Sequence, residues 1–293
     1  MTATSRTPTE TRREPLLATV WRFLRRNTLT LIGLCVILVA LLVTLMAPLI
    51  APYSPLEQDM ASRLQPPGLR HPMGTDALGR DILSRVIHGG RISLPVAAVI
   101  VIISMIIGIA LGALAGFFGG LWDDALMRFT DLMMGFPPMI LAMFVASALG
   151  PGIIHSALAV ILVWWPAYAR LLRGQVMSVK ENTYVLAAES VGCSKWRILR
   201  RAVLPNCMGP AVVLATLDMG SAILTFASLS FLGLGTTPPT PEWGSMVGNG
   251  IYYFDQWWIS SFPGLAIFAT ALAFNLVGDG LRDALDPRLW RGR

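Results

Sequence analysis

The chain has 293 residues, of which 54% are hydrophobic and 14% charged, with a formal net charge of +6. Soluble domains carry about 25% charged residues, so this balance, with a mean hydropathy of +0.62, excludes a water-soluble globular protein and indicates an integral membrane one. The basic excess does not indicate nucleic-acid binding, because the arginines cluster beside apolar runs rather than interleaving with aromatics on a soluble face.

A bilayer core of about 30 Å needs roughly 20 predominantly apolar residues per helix. Six such runs occur, at 29–50, 94–117, 132–149, 153–172, 208–234 and 262–281, and they predict an all-α fold with six transmembrane helices. Residues 1–28 read as a cytoplasmic amino-terminal segment containing Arg6, Arg12, Arg13, Arg22, Arg25 and Arg26. The run at 29–50 exceeds the roughly 7–15 apolar residues of a cleavable signal core, and no small-x-small site follows it. It reads as a retained first helix.

Residues 51–93 read as an extracytoplasmic segment. Within it, HPMGTDALGRDILSRVIHGGRISL predicts an amphipathic surface helix. Thr75 serves as N-cap, Leu78, Ile82, Leu83 and Val86 recur at helical spacing, and Gly89-Gly90 supplies the stop. Arg63, Arg70, Arg80, Arg85 and Arg91 are at odds with an outer location, but Asp76 with Arg80 and Asp81 with Arg85 stand i, i+4 and can pair. His71 and His88 lack partners at ligand spacing, so no metal site is read.

The remaining five runs lie in 94–293. Gly108, Gly112 and Gly116 allow a close helix approach, while Pro137-Pro138 and Pro166 predict kinks. Cys35, Cys193 and Cys207 form no ligand spacing or disulfide framework.

Between the fourth and fifth runs, within 176–206, lies a polar, basic island, VLAAESVGCSKWRILRRAVLPN, Val185 to Asn206. Residues 182–191 predict one helix, Gly192 its left-handed exit, Ser194 the cap of a second helix, and Pro205 the limit of that helix. From the residues alone, this helix-turn-helix is either a basic membrane-surface hairpin that only sets topology or an exposed knob for a partner.

Asp218 stands inside the fifth apolar run, where an ionisable group is by default a functional candidate facing protein or a watery cavity. It reads either as a carboxylate facing a watery pathway or as a helix–helix hydrogen-bonding group. The Gly- and Pro-rich stretch 233–250 cannot continue a regular helix, and Trp243, Tyr252, Tyr253, Trp257 and Trp258 favour a membrane interface. Together they predict an outer re-entrant lid. Asp279, Arg282, Asp283 and Asp286 predict a charge network at the inner boundary.

Positive loops are retained in the cytoplasm. Lys180, Lys195, Arg197, Arg200 and Arg201 fall on the same side as the amino terminus, as do Arg282, Arg288, Arg291 and Arg293, whereas 235–261 contains neither Lys nor Arg. Both termini are therefore expected in the cytoplasm.

The chain has no G-x-x-x-x-G-K-[ST] loop, and its lysines, Lys180 and Lys195, lie in the stretch 176–206 that carries the basic island. Any energy the chain uses must come from another chain or from an ion gradient. Neither H-E-x-x-H nor G-x-S-x-G occurs, which argues against an enzyme. Asp218 is the one feature favouring an ion-coupled secondary transporter, but the repeated halves common in such proteins are not detectable.

The island resembles the cytoplasmic loop of bacterial ABC importer permeases, a Glu-Ala-Ala, three residues, Gly, nine residues, Ile-x-Leu-Pro pattern. Ala187, Ala188, Gly192, Leu204 and Pro205 match it, while Leu186 replaces the Glu and Ala202 the Ile. GTDALGRDILSRVIHGGRISL, SLSFLGLGTTPPTPEWGSMV and FPGLAIFATALAFNLVGDGLRDALDP resemble the dipeptide, oligopeptide and nickel subclass, in its member with the longer amino-terminal region. NGIYYFDQWW is similar to dipeptide members, including those for D-amino-acid dipeptides.

The resemblance implies a type I ABC importer permease in the bacterial inner membrane. Ala187, Ala188, Glu189, Gly192, Ser194, Leu204 and Pro205 would then form the coupling loop that docks on the ATPase. It implies a homologous second permease, two ATP-binding subunits that use ATP and Mg²⁺, and an extracytoplasmic solute-binding protein, with no cofactor on this chain. The cargo it implies is a dipeptide or short oligopeptide, with nickel or another small solute as the alternative.

Overall fold

The computed structural model describes residues 27–285. The arginines read within 1–26, together with Asp286, Arg288, Arg291 and Arg293, lie outside the described residues. Apolar segments with no water around them satisfy their backbone most economically as helices, and among the described residues no strand forms. The helices are α1 (Thr28–Leu45), α2 (Ala47–Ile50), α3 (Ile82–Phe118), α4 (Gly120–Met134), α5 (Pro138–Leu149), α6 (Ile153–Lys180), α7 (Thr183–Ser190), α8 (Lys195–Ile198), α9 (Leu204–Phe231), α10 (Trp243–Gly250) and α11 (Trp258–Leu285). α1, α3, α6, the run from α8 through α9, and α11 are each long and apolar enough to cross a membrane.

α3 and α6 pack most closely, because glycines remove the side chains that would hold them apart. A Cβ on Gly108 would sit 2.3 Å from Tyr168 Cβ, one on Gly112 2.2 Å from the Ala169 carbonyl oxygen, and one on Gly116 2.8 Å from that of Arg173. The small-residue spacing read in the sequence is thus a backbone-to-backbone seam.

The contacts also fix the order of the spans. α3 ends beside α6's last turn, where Lys180 Nζ donates to the Phe117 carbonyl at 2.8 Å. α6 starts at the opposite end, where Ser156 Oγ donates to the carbonyl of Leu234, beyond α9. α4 and α5 must therefore return the chain across the bundle between them. α1 begins beside the end of α11, since a Cβ on Gly280 would meet Thr30. The described chain thus starts and finishes at the same end of the bundle as the basic island.

Several sequence expectations are corrected. The third run, 132–149, bends at Pro137-Pro138 as the sequence predicts, but it is not the whole crossing, which begins further back in α4. α4 and α5 meet at 89° across Gly135–Pro137, and α5, with 12 residues, is only about 18 Å long, so the crossing is completed by the oblique α4. Pro137 and Pro138 force this bend, whereas α6 continues through Pro166.

The separate outer helix with Thr75 as cap is absent. Thr75 sits in a loop, donating to the Ser62 carbonyl and accepting from the Gln65 N–H. Asp81 caps the helix instead, through the Ser84 N–H at 2.7 Å, and α3 then runs unbroken past 93 to Phe118. Gly89-Gly90 is no stop. These glycines admit Trp243 and Thr44, whose atoms would lie 2.8 and 2.6 Å from added Cβ atoms.

Asp76 and Arg80 do pair, at 2.7 Å, but across a turn. Asp81 does not pair with Arg85; it holds His71 Nδ1 at 3.0 Å and Ser84. Trp243 and Trp258 do not belong to an interfacial belt. Both are buried and donate their indole N–H groups to the carbonyls of Val86 and Thr75, while Tyr252 and Trp257 are exposed. The stretch 233–250 is irregular only to Glu242, after which α10 forms. Among the described residues, Asp279, Arg282 and Asp283 form no ion pair.

Candidate functional site: the basic loop and the helix pair behind it

α7 ends in a Schellman motif. The Cys193 N–H donates to the Ala188 carbonyl at 3.1 Å and the Gly192 N–H to that of Glu189 at 2.9 Å, with Gly192 at φ +80°. That left-handed geometry is the one only glycine adopts freely. Ala188 and Cys193 pack against the same small core, so the turn closes with its usual apolar contact. Ser194 occupies the N-cap position of α8, its carbonyl accepting from Arg197 and Ile198, although its hydroxyl makes no cap bond.

Pro205 does not limit the second helix. A π-helical turn, Leu199–Val203, follows α8 and accommodates the proline, whose missing N–H and ring cannot fit an ordinary i to i−4 ladder. The helix then continues as α9, giving an unbroken run from Lys195 to Phe231.

The loop is seated on the bundle by buried Val185, Ile198, Leu199 and Val203, against Leu172 and Val176 of α6 and Ala113 and Phe117 of α3. Its other face is open. Leu186, Ala187, Glu189, Val191, Lys195, Trp196, Arg197, Arg200 and Arg201 are all exposed. Leu186 and Val191, at 52% and 78% exposure, put apolar side chains beside four basic ones, a combination suited to a protein groove as much as to a lipid surface.

Behind the loop, Tyr168 of α6 donates its hydroxyl to Asp218 Oδ2 of α9 at 2.6 Å. Asp218 is half-buried, and the contact ties two spans together within the apolar bundle. The sequence pointed to Asp218 but not to Tyr168, whose partner lies 50 residues away.

Two further ion pairs were not anticipated. Arg173 of α6 holds Asp123 of α4 through two bonds, from Nε and Nη2, and Arg170 holds Asp131. They pin the oblique α4 to the loop-side half of α6. An Asp pair on one face of a mixed segment beside two interior arginines was the available signal.

At the far end of the bundle, Glu242 is fully buried. It accepts from the N–H groups of Gly244 and Ser245 at 2.9 Å and from Ser93 Oγ at 3.0 Å. Burial raises its pKa above the ordinary carboxylate value, against the opposing pull of those donors.

A family model described as binding-protein-dependent transport system inner membrane component matches residues 108–291. A second, for the N-terminal TM domain of oligopeptide transport permease C, matches 16–67. The probable D,D-dipeptide transport system permease protein DdpC of Escherichia coli (strain K12) is 44% identical over 270 residues, covering 92% of this chain and 90% of that protein. The di/tripeptide transport system permease protein DppC of Pseudomonas aeruginosa (strain UCBPP-PA14) is 46% identical over 276 residues, covering 92% and 91%. Among solved structures, a chain of the inward-facing MetNI methionine ABC transporter shares the fold, with a TM-score of 0.55 and 16% identity over 70% of this chain and 98% of that one.

Proposed function

The chain belongs to the family of binding-protein-dependent transport system inner membrane components, and from that premise we propose that it carries dipeptides or short oligopeptides inward as one half of a paired pathway. It is a multi-pass inner-membrane permease of an ABC importer with the type I fold, a transport subunit rather than an enzyme. The peptide cargo rests on relatives whose names specify dipeptide or di/tripeptide transport over nine-tenths of the chain. In this reading a second, homologous permease completes the pathway, two ATP-hydrolysing subunits bind ATP and Mg²⁺, and an extracytoplasmic solute-binding protein delivers the peptide. The basic loop and both chain ends face the cytoplasm.

The observation that carries the mechanism is the continuity of the loop with a span. The exposed face of α7 and α8 is gripped by an ATPase subunit, and the 37-residue helical run from Lys195 to Phe231, about 55 Å long, carries the displacement through the bundle. Val185 and Ile198 keep the loop from sliding on α6. Closure of the two ATPases then biases a two-state equilibrium between outward and inward openings, which requires only that they bind the loop with different strength in the two states. Ala187, Glu189, Ser194, Leu204 and Pro205 belong to this loop surface and its exit; Ala188 and Gly192 form its turn.

The test is ATP hydrolysis by the reconstituted complex, stimulated by peptide-loaded binding protein, with the native chain or Gly192→Val. No atom lies within 4 Å of a Cβ at Gly192, so the substitution changes the turn's backbone without a clash. Loss of stimulation and uptake in an assembled complex supports the lever. Full stimulation with Gly192→Val reduces the loop to a topological anchor.

A further inference from the structure

The far end of the bundle holds a cavity of about 630 Å³ that the transport reading leaves unused. Its walls come from the end of α9, the loop that follows, α10, Pro151, and two arginines from the outer segment, Arg80 and Arg85. These are the only charged residues in its lining.

Both guanidinium groups are recessed and fixed. The Arg80 and Arg85 side chains are 11% and 4% exposed. Arg80 Nε donates to Asp76 Oδ2 at 2.7 Å, and Arg85 Nη1 donates to the Pro55 and Pro239 carbonyls at 2.9 and 3.5 Å. Their other donors are idle. Among the described residues, neither Nη of Arg80 and not Nη2 of Arg85 makes a hydrogen bond, although each guanidinium offers five N–H groups.

Charge is also out of balance. Asp76 is the single carboxylate paired with both arginines, at 2.7 Å from Arg80 and 3.7 Å from Arg85. Asp81 is taken by His71 and Ser84, and Glu242 by Ser93 and the start of α10. Two cations against one anion leave a net positive charge at the wall of the cavity.

An independent observation comes from another part of the lining. Thr236 is 7% exposed and its Oγ1 has no hydrogen-bond partner. Ser230 Oγ, near Glu242, also falls short of a hydrogen bond. A buried hydroxyl without a partner is uncommon unless a ligand or water completes it.

We infer that this cavity is a carboxylate-binding site that receives the free carboxyl end of a small solute arriving at the outer face. Recessed guanidinium forks match the geometry of a carboxylate and bind it through paired charge-assisted bonds. The volume lies within the range that holds small organic ligands. The recess favours a solute over a docking protein, whose steering charges sit on exposed rims. Naming the solute as a peptide rests on the cargo reading above.

The test uses the complete transporter in lipid nanodiscs without its solute-binding protein. Dialanine and dialanine amide are the probes, and saturation-transfer NMR is the readout. The native complex is expected to transfer saturation to dialanine and roughly tenfold less to the amide, because a site built for a polar group rejects the analogue lacking it. Arg80→Gln, which retains a donor toward Asp76, is expected to abolish the dialanine signal, and Thr236→Val to weaken it several-fold. Arg85 is left intact because its Nη1 bonds tie residues 55 and 239 together.

Equal transfer to both probes, or an unchanged signal in Arg80→Gln, overturns the site. No dialanine binding, with weaker docking of the binding protein to Arg80→Gln, also overturns it and assigns the arginines to a protein side chain. The cargo reading fails separately: a complete system that takes up no dipeptide, while acetate competes for the site in an Arg80-dependent way, supports the carboxylate site and removes only the peptide.

Discussion

Tyr168 and Asp218 join α6 to α9 through a 2.6 Å hydrogen bond, and Tyr168 can stand there because Gly108 of α3 presents no side chain against its Cβ. Three spans therefore meet at one residue. The bond separates two roles for Asp218. If the carboxylate serves as a helix-bridging acceptor, Asp218→Asn keeps an acceptor oxygen and is expected to retain uptake within about threefold, while Tyr168→Phe lowers stability by about 1 kcal/mol. Thermal unfolding of the solubilised complex and peptide uptake check this together. Abolished uptake in Asp218→Asn, with the unfolding temperature unchanged, would instead show that the charge serves the pathway.

The α3–α6 seam leaves no room for a side chain at its glycines. At Gly112 an added Cβ would lie 2.2 Å from the Ala169 carbonyl oxygen, whereas at Gly174, also in α6, nothing lies within 4 Å. Gly112→Ala is expected to destabilise by about 1–3 kcal/mol, the usual penalty of overpacking. Gly174→Ala should leave stability unchanged or raise it by up to about 1 kcal/mol. The comparison controls for helix propensity, because both substitutions improve it equally. Similar unfolding temperatures for the two variants would contradict the seam.

How much of this was legible in the sequence depended on how local the cause was. The turn at Gly192 could be read because a Schellman motif uses six adjacent residues, and the Pro137-Pro138 bend because prolines act on their own helix. The direction of that bend could not, since it depends on Arg173 reaching Asp123 from another span. Gly89-Gly90 was misread for a related reason. A missing Cβ looks the same in sequence whether it ends a helix or admits a tryptophan from residue 243. Asp76 with Arg80 was paired correctly, but their spacing suits a turn as well as a helix, and the neighbouring Asp81 and Arg85 found other partners once His71 and the Pro55 carbonyl came within reach. Asp218 was visible as a charge in an apolar run; Tyr168, an ordinary aromatic in such a run, was not.

Val185 and Leu186 are adjacent in α7 and face opposite ways, one with 0% and the other with 52% exposure. Val185→Ala removes two methyl groups from the contact that seats the loop, and is expected to cost about 2 kcal/mol with partial loss of subunit assembly. Leu186→Ser should leave stability within about 0.5 kcal/mol yet, on the proposed lever, reduce binding-protein-stimulated ATP hydrolysis, because it alters only an exposed side chain of the loop. The two variants thus separate seating from docking. Copurification of the ATPase measures the second directly, and an unchanged yield with normal stimulation in Leu186→Ser would remove that residue from the docking surface.

Glu242 predicts a pH dependence at the far end of the bundle. Burial lifts its folded-state pKa above the reference value of 4.5, so the folded chain binds this proton more tightly than the unfolded one. A raised pKa contributes stability that is fully present below about pH 4.5 and is lost as pH rises through the folded value. The difference in stability between the native complex and Glu242→Gln, which does not titrate, is therefore expected to fall as pH rises from 4.5 toward neutrality. Each unit of displacement corresponds to about 1.4 kcal/mol. Thermal unfolding of both complexes at pH 5 and pH 7.5 reads the change. The direction is diagnostic: were the N–H groups of Gly244 and Ser245 and the Ser93 hydroxyl to outweigh burial, the native chain would instead gain relative stability with rising pH.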